Sequence, residues 1–266
     1  MVDVEGFEQY LFEEELSENT RNSYVYALRD FAGKFSTVSK SNIIMWKQGL
    51  LSERSPATVN LRLCAMERYC RYRNIKLDIK RVKVQRMTSI ENVLTLDEYN
   101  RLIDGLTSDG YIRYAVTVTL LGKTGARISE VLRFTKGDLA RGYVDISTKG
   151  KIRRVYFPDG MRVQLRRWFG ALSEESCLCQ NRYGMKISAR AVAAFLKSCA
   201  GRYGINEKHL HPHAFRHMFA VEFLKRNPNI SLLADILGHV SVNTTMIYLR
   251  MSQEQQKNEI DKAVDW

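Results

Sequence analysis

His213-Ala214-Phe215-Arg216-His217, Leu237-Gly238-His239 and Thr244-Thr245-Met246-Ile247-Tyr248 follow one another along the C-terminal part of the chain. Two segments upstream add cations: Gly125-Ala126-Arg127-Ile128-Ser129-Glu130, and Lys149-Gly150-Lys151. Each is weak by itself. An arginine after a glycine turn is common, a turn lysine is usually solvated, and a lone tyrosine is most often a core residue. His213 and Arg216 are stronger, because i and i+3 on a helix share a face and can converge on one ligand. Together these groups suit one chemistry, the attack of a phenolic oxygen on a phosphodiester. A tyrosine with a pKa near ~10 is a poor nucleophile at neutral pH, so a base must take its proton. Guanidinium forks match the non-bridging oxygens of phosphate, where charge builds up in the transition state.

The elements that must position these groups are mostly helical. Tyr24, Leu28, Phe31 and Phe35 form an apolar stripe at helical spacing. Ser55-Pro56 supplies a cap and a first-turn proline, followed by Val59, Leu63, Met66 and Cys70 at helical spacing. Thr95-Leu96-Asp97-Glu98 reads as a capping box. A largely apolar helix from about Tyr111 to Leu121 should end at Gly122 and Gly125. Residues 143–147 and 152–157 are rich in β-branched and aromatic side chains and predict a β-hairpin that carries Lys149 at its turn. From about Ala189 onward the chain again reads as mostly helical. The fold class is therefore mainly α with a small β-hairpin (α+β), in two lobes. Residues 1–82 form a helical lobe, 83–93 a linker and 94–266 a second lobe with a C-terminal tail.

Composition narrows the partner. The chain has 266 residues, of which 45% are hydrophobic, and carries a net charge of +12. That excess favours a polyanion, with nucleic acid ahead of a membrane surface. Between Arg62 and Arg86 nine basic residues face only Glu67 and Asp78. Arg68 and Arg71, like charges at i and i+3, would be relieved by a bound phosphate. A second basic stretch lies between Lys123 and Arg167. No apolar run approaches the ~20 residues that span a bilayer, and no secretory signal is evident, so a cytoplasmic protein without a membrane partner is expected. The cysteines (Cys64, Cys70, Cys177, Cys179, Cys199) are odd in number and scattered. They read as reduced thiols. His209, His211 and His213 alternate, but a metal site is disfavoured because that spacing conflicts with the helix expected after Pro212.

Taken in order, these motifs resemble the tyrosine recombinase (phage integrase) family, most closely its Xer-like members. The resemblance spans essentially the whole chain and is strongest from about Leu94 to Arg250. It places the family's catalytic set on Arg127, Lys149, His213, Arg216, His239 and Tyr248. Phe215 and Met218 depart from the usual residues, and the family's Val-Pro is stretched to Val155-Tyr156-Phe157-Pro158, which leaves Lys151 open as a rival to Lys149. The resemblance implies a site-specific DNA recombinase that clamps duplex recombination sites between its lobes. Such an enzyme acts as a homotetramer on two sites and works through a 3′-phosphotyrosine, with no metal or other cofactor and no ATP. In that reading Tyr248 attacks, His213 accepts its proton, Lys149 protonates the leaving 5′ oxygen, and Arg127, Arg216 and His239 hold the phosphate. By residue type, Glu130 reads as a partner that fixes an arginine, and His217, beside Arg216, as either a structural residue or a support near the phosphate. A type IB topoisomerase and a silent DNA-binding regulator are the alternatives.

Overall fold

Serine and aspartate side chains start the N-terminal helices. In the computed structural model, which describes residues 2–84, 93–148, 151–169, 172–239, 241–249, 260–261 and 263–264, Asp3 accepts from the Gly6 N–H at the start of α1 (Val4–Glu13). Ser17, Ser39 and Ser55 do the same for α2 (Glu18–Ala32), α3 (Lys40–Glu53) and α4 (Pro56–Tyr72). Each cap satisfies one of the orphan donors of a first turn. The four helices enclose Phe7, Leu28, Phe31, Trp46, Leu63 and Met66, all at most 2% exposed. Beyond α4 the chain is extended and lies on the same helices. The Asn60 side chain both donates to and accepts from the Val82 backbone, at 2.9 and 2.8 Å.

The chain divides into two compact units, Met1–Arg86 and Met87–Trp266. The division falls within 83–93, of which residues 85–92 lie outside the described residues. In the second unit Thr95 and Glu98 form the expected reciprocal capping box on α5 (Leu96–Ser108). Helix α6 (Ile112–Thr124) is apolar on nearly every side, with Ala115, Val118, Leu120 and Leu121 fully buried, so it runs through the core between α5 and a later helix. Its end differs from the sequence expectation. Gly122 lies inside the helix against the Tyr99 ring, and only Gly125, at φ +61°, terminates it.

After α6 come the single turn α7 (Ile128–Val131) and α8 (Lys136–Arg141). Strands β1 (Tyr143–Thr148) and β2 (Lys151–Tyr156) then pair antiparallel, with Thr148 opposite Lys151 and Tyr143 opposite Tyr156. Lys151 is therefore a strand residue, while Lys149 and Gly150 lie outside the described residues. The remaining helices are α9 (Asp159–Phe169), α10 (Ala189–Cys199), α11 (Pro212–Arg226), α12 (Ile230–Leu237) and α13 (Val242–Thr245), followed by the 3-10 turn Met246–Leu249. All five cysteines are free thiols. Among the described residues no single helix is long and apolar enough to cross a membrane.

The basic cluster of α4 is less open than its sequence suggested. Arg62 is buried against Asp30 at 2.8 Å, Arg68 pairs with Glu14 at 2.8 Å, and Arg73 reaches Asp3 at 3.4 Å. The repulsion between Arg68 and Arg71 is thus already relieved by an internal carboxylate, without a phosphate.

Candidate active site

Three helix ends meet around Arg216. Gly125 turns the chain out of α6 in the left-handed region, and a Cβ there would strike the Phe219 ring of α11. Two residues on, Arg127 caps α7 with its side chain 41% exposed. Arg216, one turn into α11, is only 1% exposed. It donates from Nη1 to the Gly125 carbonyl at 2.8 Å and from Nη2 to the Leu237 carbonyl at 2.6 Å. One buried cation therefore satisfies orphan carbonyls at the ends of both α6 and α12.

Leu237 is the last residue of α12, and Gly238 ends that helix at φ +65°. The His239 N–H returns to the Ala234 carbonyl, which completes a left-handed helix cap. A side chain at Gly238 would also run into the stem of Arg153, so the glycine serves both the turn and the packing. His239 Nδ1 lies 2.8 Å from Oγ1 of the fully buried Thr245. When that hydroxyl donates to Nδ1, the neutral ring keeps its hydrogen on Nε2 and presents a donor.

Tyr248 sits in the 3-10 turn after α13, 6% exposed, packed with Ala220, Leu224, Leu233 and Leu237. Its ring stacks on His239 at 6.4 Å and contacts His217 at 5.3 Å. His217 in turn meets His213 edge-on at 4.3 Å. The ring in contact with both His213 and Tyr248 is thus His217, whose buried Nδ1 has no hydrogen-bond partner among the described residues.

The electrostatics are those of a site short of negative charge. Glu130, itself buried, accepts from Nη1 of Arg127 at 3.0 Å, from the Arg127 backbone N–H at 2.7 Å and from Arg153 at 2.6 Å. One carboxylate thus serves two arginines, with Arg216 nearby. Burial, then Arg127 and Arg153, pull the Arg216 pKa down to about 10. Burial also lowers His217 and His239 to about 4, with His213 adding to the first and Arg216 to the second. His213 is open to solvent on one side, yet crowding on the other, followed by Arg216, lowers its pKa as well. Burial raises the Tyr248 phenol, partly opposed by Arg216. A bound anion would relieve every one of these cationic penalties.

The fold therefore brings Arg127, His213, Arg216, His239 and Tyr248 together, and Lys149 lies outside the described residues. Sequence reasoning missed Arg153 and Thr245. Strand alternation with the buried Val155 was a signal for the first, whereas nothing local marks the second. The other alternating histidines have structural partners: His209 Nδ1 is 3.0 Å from Glu98, and His211 Nδ1 accepts from the Ala214 N–H at the start of α11.

Residues 92–255 match the model of the phage integrase family. The chain belongs to the phage integrase family. As a family member it is similar over 98% of its length to two archaeal proteins named tyrosine recombinase XerA. It is 30% identical to that of Thermococcus kodakarensis, covering 94% of that protein, and 26% identical to that of Pyrococcus furiosus, covering 93%. This integrase-family chain also shares the fold of lambda integrase, solved as a tetramer bound to a Holliday junction. That match has a TM-score of 0.75 at 16% identity, over 92% of this chain and 75% of that one. The recombinase reading stands, and neither the topoisomerase-like nor the silent-regulator reading is favoured.

Proposed function

We propose that Tyr248 is the nucleophile with which this tyrosine recombinase cleaves duplex DNA at its recombination sites. The observation that carries the proposal is the setting of Tyr248: its ring stacks on His239, and Arg216, which lies near both Tyr248 and Arg127, is fixed by its two carbonyl bonds. The scissile phosphate sits against the Arg127 and Arg216 guanidiniums, with the Nε2 hydrogen of His239 as a further donor. The Tyr248 oxygen attacks phosphorus and the bond to the 5′ oxygen breaks, which leaves a 3′-phosphotyrosine. The phenol proton passes to His213, with the His217 ring in contact with both residues. Lys149 protonates the departing 5′ oxygen. Because the phosphotyrosine conserves the energy of the diester, a 5′-hydroxyl from a second duplex reverses the step without ATP.

The neutral state of the buried histidines suits these roles. A neutral His213 has a ring nitrogen free to accept a proton, and a neutral His239 can still donate from Nε2. Strand exchange needs two sites in one assembly. A homotetramer on two DNA sites is the arrangement we propose, and the tetrameric lambda integrase complex of the same fold supports it.

Tyr248→Phe tests the central assignment. It removes only the phenolic oxygen, so the packing with Leu233 and Leu237 and the binding of DNA should survive. Covalent adduct on a nicked suicide substrate should disappear from a denaturing gel. Adduct at undiminished yield would refute Tyr248 as the nucleophile.

A further inference from the structure

We infer that Arg153 is a positioning residue for DNA cleavage: it shares Glu130 with Arg127 and pins the end of α12, so that Arg127 keeps donors for the phosphate and His239 stays in register with it. The inference rests on the proposed role of Arg127 as a phosphate ligand. Arg153 reaches in two directions from β2. Nη2 donates to Glu130 Oε2 at 2.6 Å, and Nη1 donates to the Ile236 carbonyl at 2.8 Å, two residues before Gly238. The Arg153 and Glu130 side chains are only 11% and 9% exposed, so their attraction acts in a medium that screens it weakly.

Glu130 is the point of leverage. Its Oε2 is occupied by Arg153 and the Arg127 backbone, which leaves Oε1 a single bond to the Arg127 guanidinium. Without Arg153, the buried carboxylate would keep Arg127 as its one hydrogen-bonded guanidinium among the described residues, with Arg216 nearby. A carboxylate and a guanidinium then favour a two-point pair, and that pair withdraws from the phosphate the donors it needs. The Ile236 carbonyl would also lose its partner at a helix end. Arg153 lies on β2, so the same side chain ties the hairpin to α7 and α12.

A residue that only holds the fold together would impair cleavage of every substrate equally, whereas one that acts through Arg127 would not. Single-turnover cleavage should therefore be compared on two DNAs, one with a normal scissile phosphate and one with a neutral methylphosphonate there. Arg153→Met should slow cleavage of the phosphate about 10- to 100-fold, the usual scale for outer partners of ligating groups, while DNA binding is retained. On the methylphosphonate, which builds up less charge, the defects of Arg127→Ala and Arg153→Met should shrink together. Adding Glu130→Gln to Arg153→Met should restore part of the rate on the phosphate, a non-additive result. If Arg153→Met does not fold, Arg153→Lys, which keeps the charge but not the two-way fork, enters the same comparison. An equal defect on both substrates, with Arg127→Ala relieved on the methylphosphonate, overturns the inference. Absence of relief for Arg127→Ala itself would instead refute the phosphate-ligand reading on which it stands.

Discussion

Arg127 and Arg216 carry the same guanidinium into different surroundings, and their loss should be felt differently. Arg127 is well exposed and, among the described residues, its guanidinium is tied to Glu130. Its alanine variant should lose about 3–4 kcal/mol of transition-state stabilisation, the scale of a preorganised donor, with little change in Tm. Arg216 is buried and closes two helix ends through the Gly125 and Leu237 carbonyls. Arg216→Ala should cost activity and stability together, and cleavage rates beside thermal melts of both variants would show the difference. The histidines make a pH prediction at the same scale. His217 and His239 have folded pKa values pushed down to about 4, against ~6.5 in an unfolded chain. The unfolded state therefore binds more protons between these values. The stability these two lend is complete above pH ~6.5 and is lost as pH falls toward 4. Tm of the DNA-free protein should drop over that window, and a His217→Gln, His239→Gln double variant should flatten the drop.

Helix α4 divides its arginines between architecture and surface. Asp30 accepts from both the Trp46 indole and Arg62, so it joins α2, α3 and α4 at one half-buried carboxylate. Arg62→Ala should destabilise the first unit by about 1.5–3 kcal/mol, the usual worth of a hydrogen bond to a charged group. Arg71 and Lys76 are exposed and have no carboxylate partner among the described residues. If they touch the DNA backbone, Arg71→Ala with Lys76→Ala should leave Tm unchanged and weaken binding on all sequences. The slope of log affinity against log salt should then become shallower by about 0.9 for each phosphate that the variant no longer neutralises. Gel shifts over a salt series would measure it.

For the molecule as a whole, the C-terminal tail bears on the assembly proposed above. Ile260, Ala263 and Val264 fall at i, i+3 and i+4 and form a narrow apolar stripe in the tail. Ile260 is 59% and Val264 50% exposed, so the stripe is not buried against its own chain. Residues 251–259, Lys262, Asp265 and Trp266 lie outside the described residues. A stripe this short does not hold a helix alone in water and gains from a partner surface. Truncation after Gln256 should spare binding to a single site while impairing synapsis and recombination. Full recombination by the truncated chain, read beside gel shifts, would show that the tail is dispensable.

Residue chemistry and local order were legible without the fold. Tyr248, Arg216 and His239 suggest phosphoryl transfer only when taken together, whereas Thr95 with Glu98 or Ser55 with Pro56 mark helix starts by themselves, because caps act over three or four residues. Contacts across long separations were not legible. That Arg216 would be 1% exposed and hold carbonyls at positions 125 and 237 depends on how α6, α11 and α12 pack. The neighbours Arg153 and Arg154 show the limit most sharply. Strand alternation alone says that they point to opposite faces. Only the packing of the hairpin against α12 decides that Arg153 goes inside to Glu130 while Arg154 stays outside with Asp145, since the buried face is set by whatever lies beneath the sheet.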